Sequence, residues 1–468
     1  MEVLKAADAK RDQGQWQEAI LIYEQINQSF PKTVTLKHNL ALCYFALGQY
    51  IKSKNYAEEA ITLDPELWQS NIVLAKSLKE LGEVEEALNL FTYVSQQGYK
   101  QGEALLGMAD LFLNEFGDPL KAIATIQPLF EVDEFKDDAR LTELMASLYD
   151  RDESGESLTD RIKLFSQQSI QLDTHQTGFH FKETSKKTSL KPRVGLISPM
   201  FSVSPVYFLT YGFFKNIATQ CDLIFFNRGM KADWATEQFK TIASTWIDVF
   251  HVSPIALAHQ IHHEEIDVLY DLGGWMDPLA LKALSLKPAR QQLKWVGGQS
   301  VTTGLNCFDG WIGDNWHTPS VYQYLYAEPL VNKGDDYVTY TPPPYMPKPL
   351  DKKSDTYAIF ANPAKLSRAF LQELNHIPGK KCFIHSKYRH QVVRDRIESI
   401  INKKELTYIC PETHLHALKA LNQYQCVIDT YPYSSGLTAR EAKALGVKIQ
   451  VLQVGILFCE RHTARYQT

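Results

Sequence analysis

Neither sign of charge prevails in this sequence. Across 468 residues, 49 Lys and Arg stand against 54 Asp and Glu, a formal net charge of −5. A chain so balanced carries no overall field to attract nucleic acid or an anionic membrane surface. Cysteine is also scarce. The seven residues (Cys43, Cys221, Cys307, Cys382, Cys410, Cys426, Cys459) are scattered, with no CxxC pair and no short metal-ligand spacing, in a chain too long to need staples. They read as reduced thiols. No run of about 18 apolar residues occurs, and the opening MEVLKAADAKRDQGQW lacks the apolar stretch of a signal peptide. These absences point to a soluble, cytoplasmic protein. Core-forming residues are plentiful, 44% apolar and 12% aromatic, in a length beyond that of a single core, which predicts several domains.

The first third repeats. Gly14, Gly48 and Gly82 are spaced by 34 residues, and their neighbours move with them: Ala19, Ser53 and Ala87, then Tyr23, Ala57 and Phe91. Helix-period apolar patterning surrounds each glycine, and Pro31 and Pro65 close the first two units. Each unit therefore reads as helix, turn, helix, with small side chains where helices approach and an aromatic filling the hollow between units. A fourth unit near 102–135 fits with one inserted residue, since Gly117, Ala122 and Pro128 fall one place late. Repeats are expected over 1–135. A linker with one helix (RIKLFSQQSIQL) is expected over 136–192, where RDESGESLTD and ETSKKTSLKP interrupt the periodicity.

From Arg193 the texture is α/β: short β-rich runs (RVGLIS, DLIFFN, IDVLYDLGG, QQLKWVGG) alternate with helical stretches. After the proline-rich YTPPPYMPKPL the alternation resumes with YAIFAN, KCFIHS, LTYICPE, CVIDTYP and KIQVLQV. Two lobes are expected, 193–345 and 346–468. Ligands of such open parallel sheets collect at the carboxyl ends of the strands, so the residues after YAIFAN and CVIDT are the candidates for chemistry.

Four stretches in order, RVGLISPMFSVSP, ARQQLKWVGGQSVTTGLNCFDGWIGDNWHTP, YAEPLVNKGDDYVTYTPPP and DTYPYSSGLTAREAKALGV, resemble landmarks of the tetratricopeptide O-GlcNAc transferases and their plant and bacterial relatives. The last is shared with adhesin N-glycosyltransferases, and the 34-residue repeat resembles the tetratricopeptide repeat, whose arrays commonly bind proteins. The resemblance implies a GT-B fold, two Rossmann-like lobes with a UDP-sugar in the cleft between them.

In DTYPYSSGLTARE, Ser434, Ser435 and Gly436 allow close approach to the amides of a helix start, a setting suited to an anionic diphosphate, and Thr438 adds a hydroxyl. Read locally, the same residues make an ordinary strand-to-helix turn. The family's threonine at the position of Thr438 contacts the donor phosphates, and Glu441 stands where the family usually has an aspartate on the ribose. In FANPAK, Lys365 matches a family lysine. An ammonium there would stabilise charge growing on the β-phosphate as the sugar leaves, though the same lysine also reads as a solvated helix start. Asn362 occupies an amide position where many relatives have Gln. His416 lies near the family histidine beside the uracil, one residue off in spacing. Thr302 and Thr303 either line the sugar side or cap a turn.

The pattern also departs from the family. Ser204 and Trp275 stand on the acceptor and sugar side where histidines are often found, and neither can act as a base at pH 7: Trp275 is large enough to reshape the acceptor side, and Ser204 could at most hydrogen-bond a sugar hydroxyl. The second lobe ends early compared with relatives. Among His259, His262 and His263, only His259 and His263 share a helical face, without a third ligand, so no metal is expected. The resulting expectation is an inverting, metal-independent transfer of a hexose or N-acetylhexosamine from UDP to Ser, Thr or Asn of a protein met by the repeats. The UDP-sugar is a co-substrate and no cofactor is needed. The alternative is an inactive GT-B and repeat adaptor for a partner protein or an active paralogue. A homo-oligomer or paralogue complex is compatible with either.

Overall fold

The structure, a computed structural model, describes residues 2–97, 101–173, 178–181 and 191–467. It divides into two compact units, 1–146 and 147–468. The first is the helical array. Paired helices Glu2–Asp12 and Trp16–Ser29, Val34–Ala46 and Tyr50–Leu63, Trp68–Leu81 and Val84–Gln96 follow the 34-residue period. Gly14, Gly48, Gly82 and Gly117 all take positive φ, between 62° and 83°, at the turn inside each pair, a conformation that side chains with a Cβ resist. Ala19, Ser53 and Ala87 are fully buried at the helix contacts, and Tyr23 and Phe91 fill the hollows expected of them. The residue inserted in the fourth unit is absorbed without a loop. Helix Gln101–Asp110 runs into a π-helical turn at Leu111–Glu115, closed by Phe116 N–H to Leu111 O at 2.9 Å. A single added residue is what a π turn accommodates.

The second unit begins with helix Gly155–Phe165, which leads into the α/β part; Ser166 Oγ donates to Thr303 O at 2.6 Å. The Ser- and Lys-rich stretch at 182–190 lies outside the described residues. One all-parallel sheet contains β1 (Arg193–Ser198), β2 (Asp222–Asn227), β3 (Thr245–Asp248), β4 (Val268–Asp271), β5 (Gln291–Lys294), β6 (Gly310–Gly313) and β7 (Leu330–Asn332), in the order β3-β2-β1-β4-β5-β6-β7. A second contains β8 (Ser354–Ile359), β9 (Lys381–Ile384), β10 (Leu406–Ile409), β11 (Tyr424–Ile428) and β12 (Lys448–Gln450), in the order β10-β9-β8-β11-β12. The expected helical array followed by two Rossmann-like lobes is the architecture observed. The apolar runs form the strands because both sheet faces are covered: Leu223, Ile224, Phe225 and Phe226 are all fully buried along β2. Among the described residues no helix is long and apolar enough to cross a membrane.

Candidate functional site

Strand order reverses once in each sheet, between β1 and β4 in the first lobe and between β8 and β11 in the second. At such switch points the loops leaving neighbouring strands diverge and open a crevice. Here the two crevices form one cleft of about 220 Å³. It is lined by Met200 and Ser204 after β1, Met276 after β4, Lys365 after β8, and Tyr433 and Gly436 after β11.

The second lobe contributes the charge. Asn362 caps the short 3-10 turn Pro363–Lys365 by accepting from Ala364 N–H at 3.0 Å. That turn aims Lys365 at the cleft, where Nζ donates to Ser434 O at 2.9 Å and sits 4.6 Å from the centre of the Tyr433 ring. Burial pushes the Lys365 ammonium down to about 8, against the attraction of Asp429. Gly436 precedes helix Leu437–Ala444, whose first amides have no side-chain cap among the described residues. An uncapped helix start beside an ammonium is an anion-binding arrangement.

Several residues singled out from the sequence are not in the cleft. Ser434 is fully buried, its Oγ donating to Cys459 O at 2.8 Å, and Ser435 N–H donates to Asp429 Oδ1 at 3.0 Å. Thr438 faces a separate small hollow shared with Asp429 and Ser435. His416 is exposed on helix His414–Leu421, and the imidazole that reaches inward is His414. Its Nε2 lies 2.7 Å from Glu441 Oε1, its Nδ1 lies 3.0 Å from Tyr345 OH, and its ring lies 5.5 Å from that of Phe208. The Glu441 carboxyl is buried, which raises its pKa against the pull of His414.

In the first lobe, Ser204 lines the cleft with its Oγ donating to Met200 O at 2.9 Å, and helix Pro205–Ile217 starts from it. Trp275 is buried instead of shaping the acceptor side: its Nε1 donates to Thr302 O at 3.0 Å and its ring packs near Phe165. The half-exposed neighbour Met276 takes the cleft position. Thr302 and Thr303 neither line the sugar side nor merely cap a turn. Thr302 Oγ1 donates to Glu328 Oε2 at 2.6 Å, and Thr303 donates from both N–H and Oγ1 to Oε1. Glu328 is fully buried, and burial raises its pKa. Thr303→Val would remove one donor from this sealed carboxyl and is expected to destabilise the lobe by about 1–3 kcal/mol, read from urea unfolding.

Sequence reasoning missed Tyr433 and His462. Tyr433 stacks on Tyr149 at 4.8 Å, and its OH lies 2.8 Å from Ser300 Oγ. His462 comes from the last segment, which crosses back to the first lobe: Cys459 N–H donates to Ser300 O at 2.8 Å, and Arg465 Nη2 to Asp314 Oδ2 at 2.7 Å. The aromatic neighbour of the glycine turn was visible as a residue type in DTYPYSSG; nothing in FCERHTAR marked its histidine. His259 and His262 lie against Phe179.

Comparison with known proteins bears on this arrangement. Residues 12–94 match the family described as anaphase-promoting complex, cyclosome, subunit 3. The chain is 25% identical over 287 residues to the probable UDP-N-acetylglucosamine–peptide N-acetylglucosaminyltransferase SPINDLY of Petunia hybrida, covering 57% of this chain and 31% of the relative. The SPINDLY protein of Arabidopsis thaliana is 26% identical over 276 residues, 54% of this chain and 30% of its own length. The protein named SEC of Arabidopsis thaliana is 26% identical over 164 residues, 34% of this chain and 16% of its own. The chain thus spans about a third or less of these relatives. A mutant O-GlcNAc transferase of Thermobaculum terrenum superposes with a TM-score of 0.65 at 18% identity, over 99% of this chain and 85% of that one, a likeness of fold. The sequence resemblance to the tetratricopeptide O-GlcNAc transferases therefore holds.

Proposed function

We propose that this chain is a glycosyltransferase that moves a hexose or N-acetylhexosamine from a UDP-sugar to Ser, Thr or Asn of a protein, with inversion and without a metal. The observation that carries the reading is the single cleft at both switch points, holding Lys365 beside the uncapped helix start at Gly436. As the bond from the sugar C1 to the β-phosphate oxygen breaks and the bond from C1 to the acceptor atom forms, charge accumulates on the leaving diphosphate. A fixed ammonium in the cleft stabilises that charge more than it stabilises the intact donor. The relatives' names and the repeat array support a protein acceptor, met in part by the repeats in the cytoplasm. Asn362 and His416, which sequence assigned to the donor, enter this reading only as a turn cap and a surface residue, and Glu441, expected on the ribose, already holds His414 at Oε1.

That same occupation of Glu441 favours a second reading, an inactive adaptor for a partner protein or an active paralogue. Isothermal titration with UDP separates the two. Micromolar binding, followed by transfer from UDP-N-acetylglucosamine to protein detected by mass, supports the enzyme, and a folded chain that ignores UDP leaves the adaptor.

The ionisation of Lys365 gives the titration a signature. Free, the ammonium titrates at about 8; a bound diphosphate raises that value, because it favours the charged form. Between the free and bound values, binding takes up a proton and affinity falls as pH rises, by up to about tenfold per unit. Titrations at pH 8.5 in two buffers of different ionisation enthalpy should reveal this uptake. Equal heats in both buffers would separate Lys365 from the phosphates.

A further inference from the structure

The final segment brings one more ring to the cleft. His462 lines it, and the chain is held there by its own amide and by the next side chain: His462 N–H donates to Ser434 Oγ at 2.9 Å, and Thr463 Oγ1 donates to the buried Asp429. The ring is wedged beside His317, Phe458 and Tyr433, at centroid distances of 5.4, 5.5 and 6.2 Å. Its Cδ2–Nε2 edge faces Gly436, 3.7 and 3.8 Å from where a Cβ on that glycine would sit. A Cβ at Gly436 would thus meet the imidazole edge at ordinary contact distance, which puts the ring beside the helix start.

The two ring nitrogens differ. Nδ1 is buried and has no hydrogen-bond partner among the described residues. A sealed lone pair is tolerated more readily than a sealed N–H, so the proton belongs on Nε2. Burial, with His317, Lys365 and Arg440 nearby, holds the imidazole well below its ordinary pKa and therefore uncharged at pH 7. An uncharged ring with its proton on the cleft side is a hydrogen-bond donor and cannot serve there as a base.

Resting on the reading that the cleft takes a nucleoside diphosphate, we infer that His462 is a further donor-binding residue, its Nε2–H hydrogen-bonding a phosphate oxygen held at the Gly436 turn. Lys365 supplies charge from one side of the turn and His462 supplies a directed hydrogen bond from the other. A fixed neutral donor adds to phosphate binding without adding to the repulsion among the cations nearby.

The test is calorimetric titration of the full chain with UDP and with uridine, for wild type, Lys365→Ala, His462→Phe and His462→Gln. His462→Phe should weaken UDP about tenfold, the worth of one hydrogen bond to a charged group, and leave uridine unchanged. His462→Gln, whose amide nitrogen reaches about as far as Nε2, should recover most of the loss. Imidazole nitrogen chemical shifts should identify the Nε2–H tautomer. Equal losses for UDP and uridine, an unchanged UDP affinity in His462→Phe, or a His462→Gln variant no tighter than His462→Phe would each overturn the inference. A wild-type chain that binds no UDP would overturn the donor site itself, whatever His462 does.

Discussion

Lys365→Ala is expected to lower the rate of sugar transfer by about 10²–10³ while leaving the fold as stable as wild type at pH 7. The second half of this expectation follows from the unliganded site. Burial depresses the Lys365 ammonium to about 8, so its charged form is less favourable in the folded chain than in water. Among the described residues its one hydrogen bond is to Ser434 O, the face of Tyr433 lies beside it, and the attraction of Asp429 offsets burial only in part. A charge the fold disfavours, kept at the mouth of a cleft, is one whose compensation comes from a ligand, and removing it relieves the folded state. UDP affinity should fall together with the rate, because the same ammonium meets the diphosphate before and after transfer. Thermal unfolding, UDP titration and transfer rates on one preparation check all three parts. A variant that transfers within a factor of about two of wild type would remove Lys365 from the mechanism, and one that unfolds well below wild type would make it a structural lysine.

Much of the architecture was legible because long-range order left local marks. The 34-residue spacing of Gly14, Gly48 and Gly82 is a backbone requirement, a positive φ at each turn, repeated in the sequence. β1, β2 and β8 were visible as apolar runs ending in turns. The short strands β3, β6 and β7 were not: Thr245 and Asp248 are exposed at the sheet edge, and GWIG carries glycines at both ends. The site divides along similar lines. Lys365 and Gly436 follow strands at switch points, so topology alone puts them at the cleft. Thr302 and Thr303 looked equally suited to a ligand, but their partner is Glu328, and nothing local announces a carboxyl buried 25 residues downstream. Two residues on a helix point about 200° apart, so choosing His416 where the structure turns His414 inward selects the opposite face. His462 was beyond reach because its position depends on a crossing segment held by Ser300, Ser434 and Asp429.

Lys294→Met should destabilise the α/β unit by about 3–5 kcal/mol, the loss typical of breaking a buried pair by removing one partner. Burial lowers the pKa of Lys294 as it does that of Lys365, but the two lysines are held differently. Lys294 is wholly sealed at the end of β5, with Nζ donating to Asp271 O, Val296 O and Gly297 O at 3.1, 3.0 and 2.6 Å and lying 3.3 Å from Asp271 Oδ2. These contacts tie the loop after β4 to the loop after β5. The loops approach so closely that a Cβ on Gly298, at φ 59°, would lie 2.2 Å from Gly273 O. Methionine fills the volume but leaves the carbonyls of Val296 and Gly297 without the ammonium, and the Asp271 carboxylate with only the amides of Gly273 and Gly274 to offset its charge. Lys294→Met with Asp271→Asn should recover part of the loss, because the uncompensated charge goes while the stranded carbonyls stay. Val296, Gly297 and Gly298 line the cleft, so the single variant should also loosen its first-lobe wall and raise KM for the acceptor more than for UDP. Urea unfolding of wild type, single and double variants measures the coupling, and a single variant within about 1 kcal/mol of wild type would show that the sealed ammonium is dispensable.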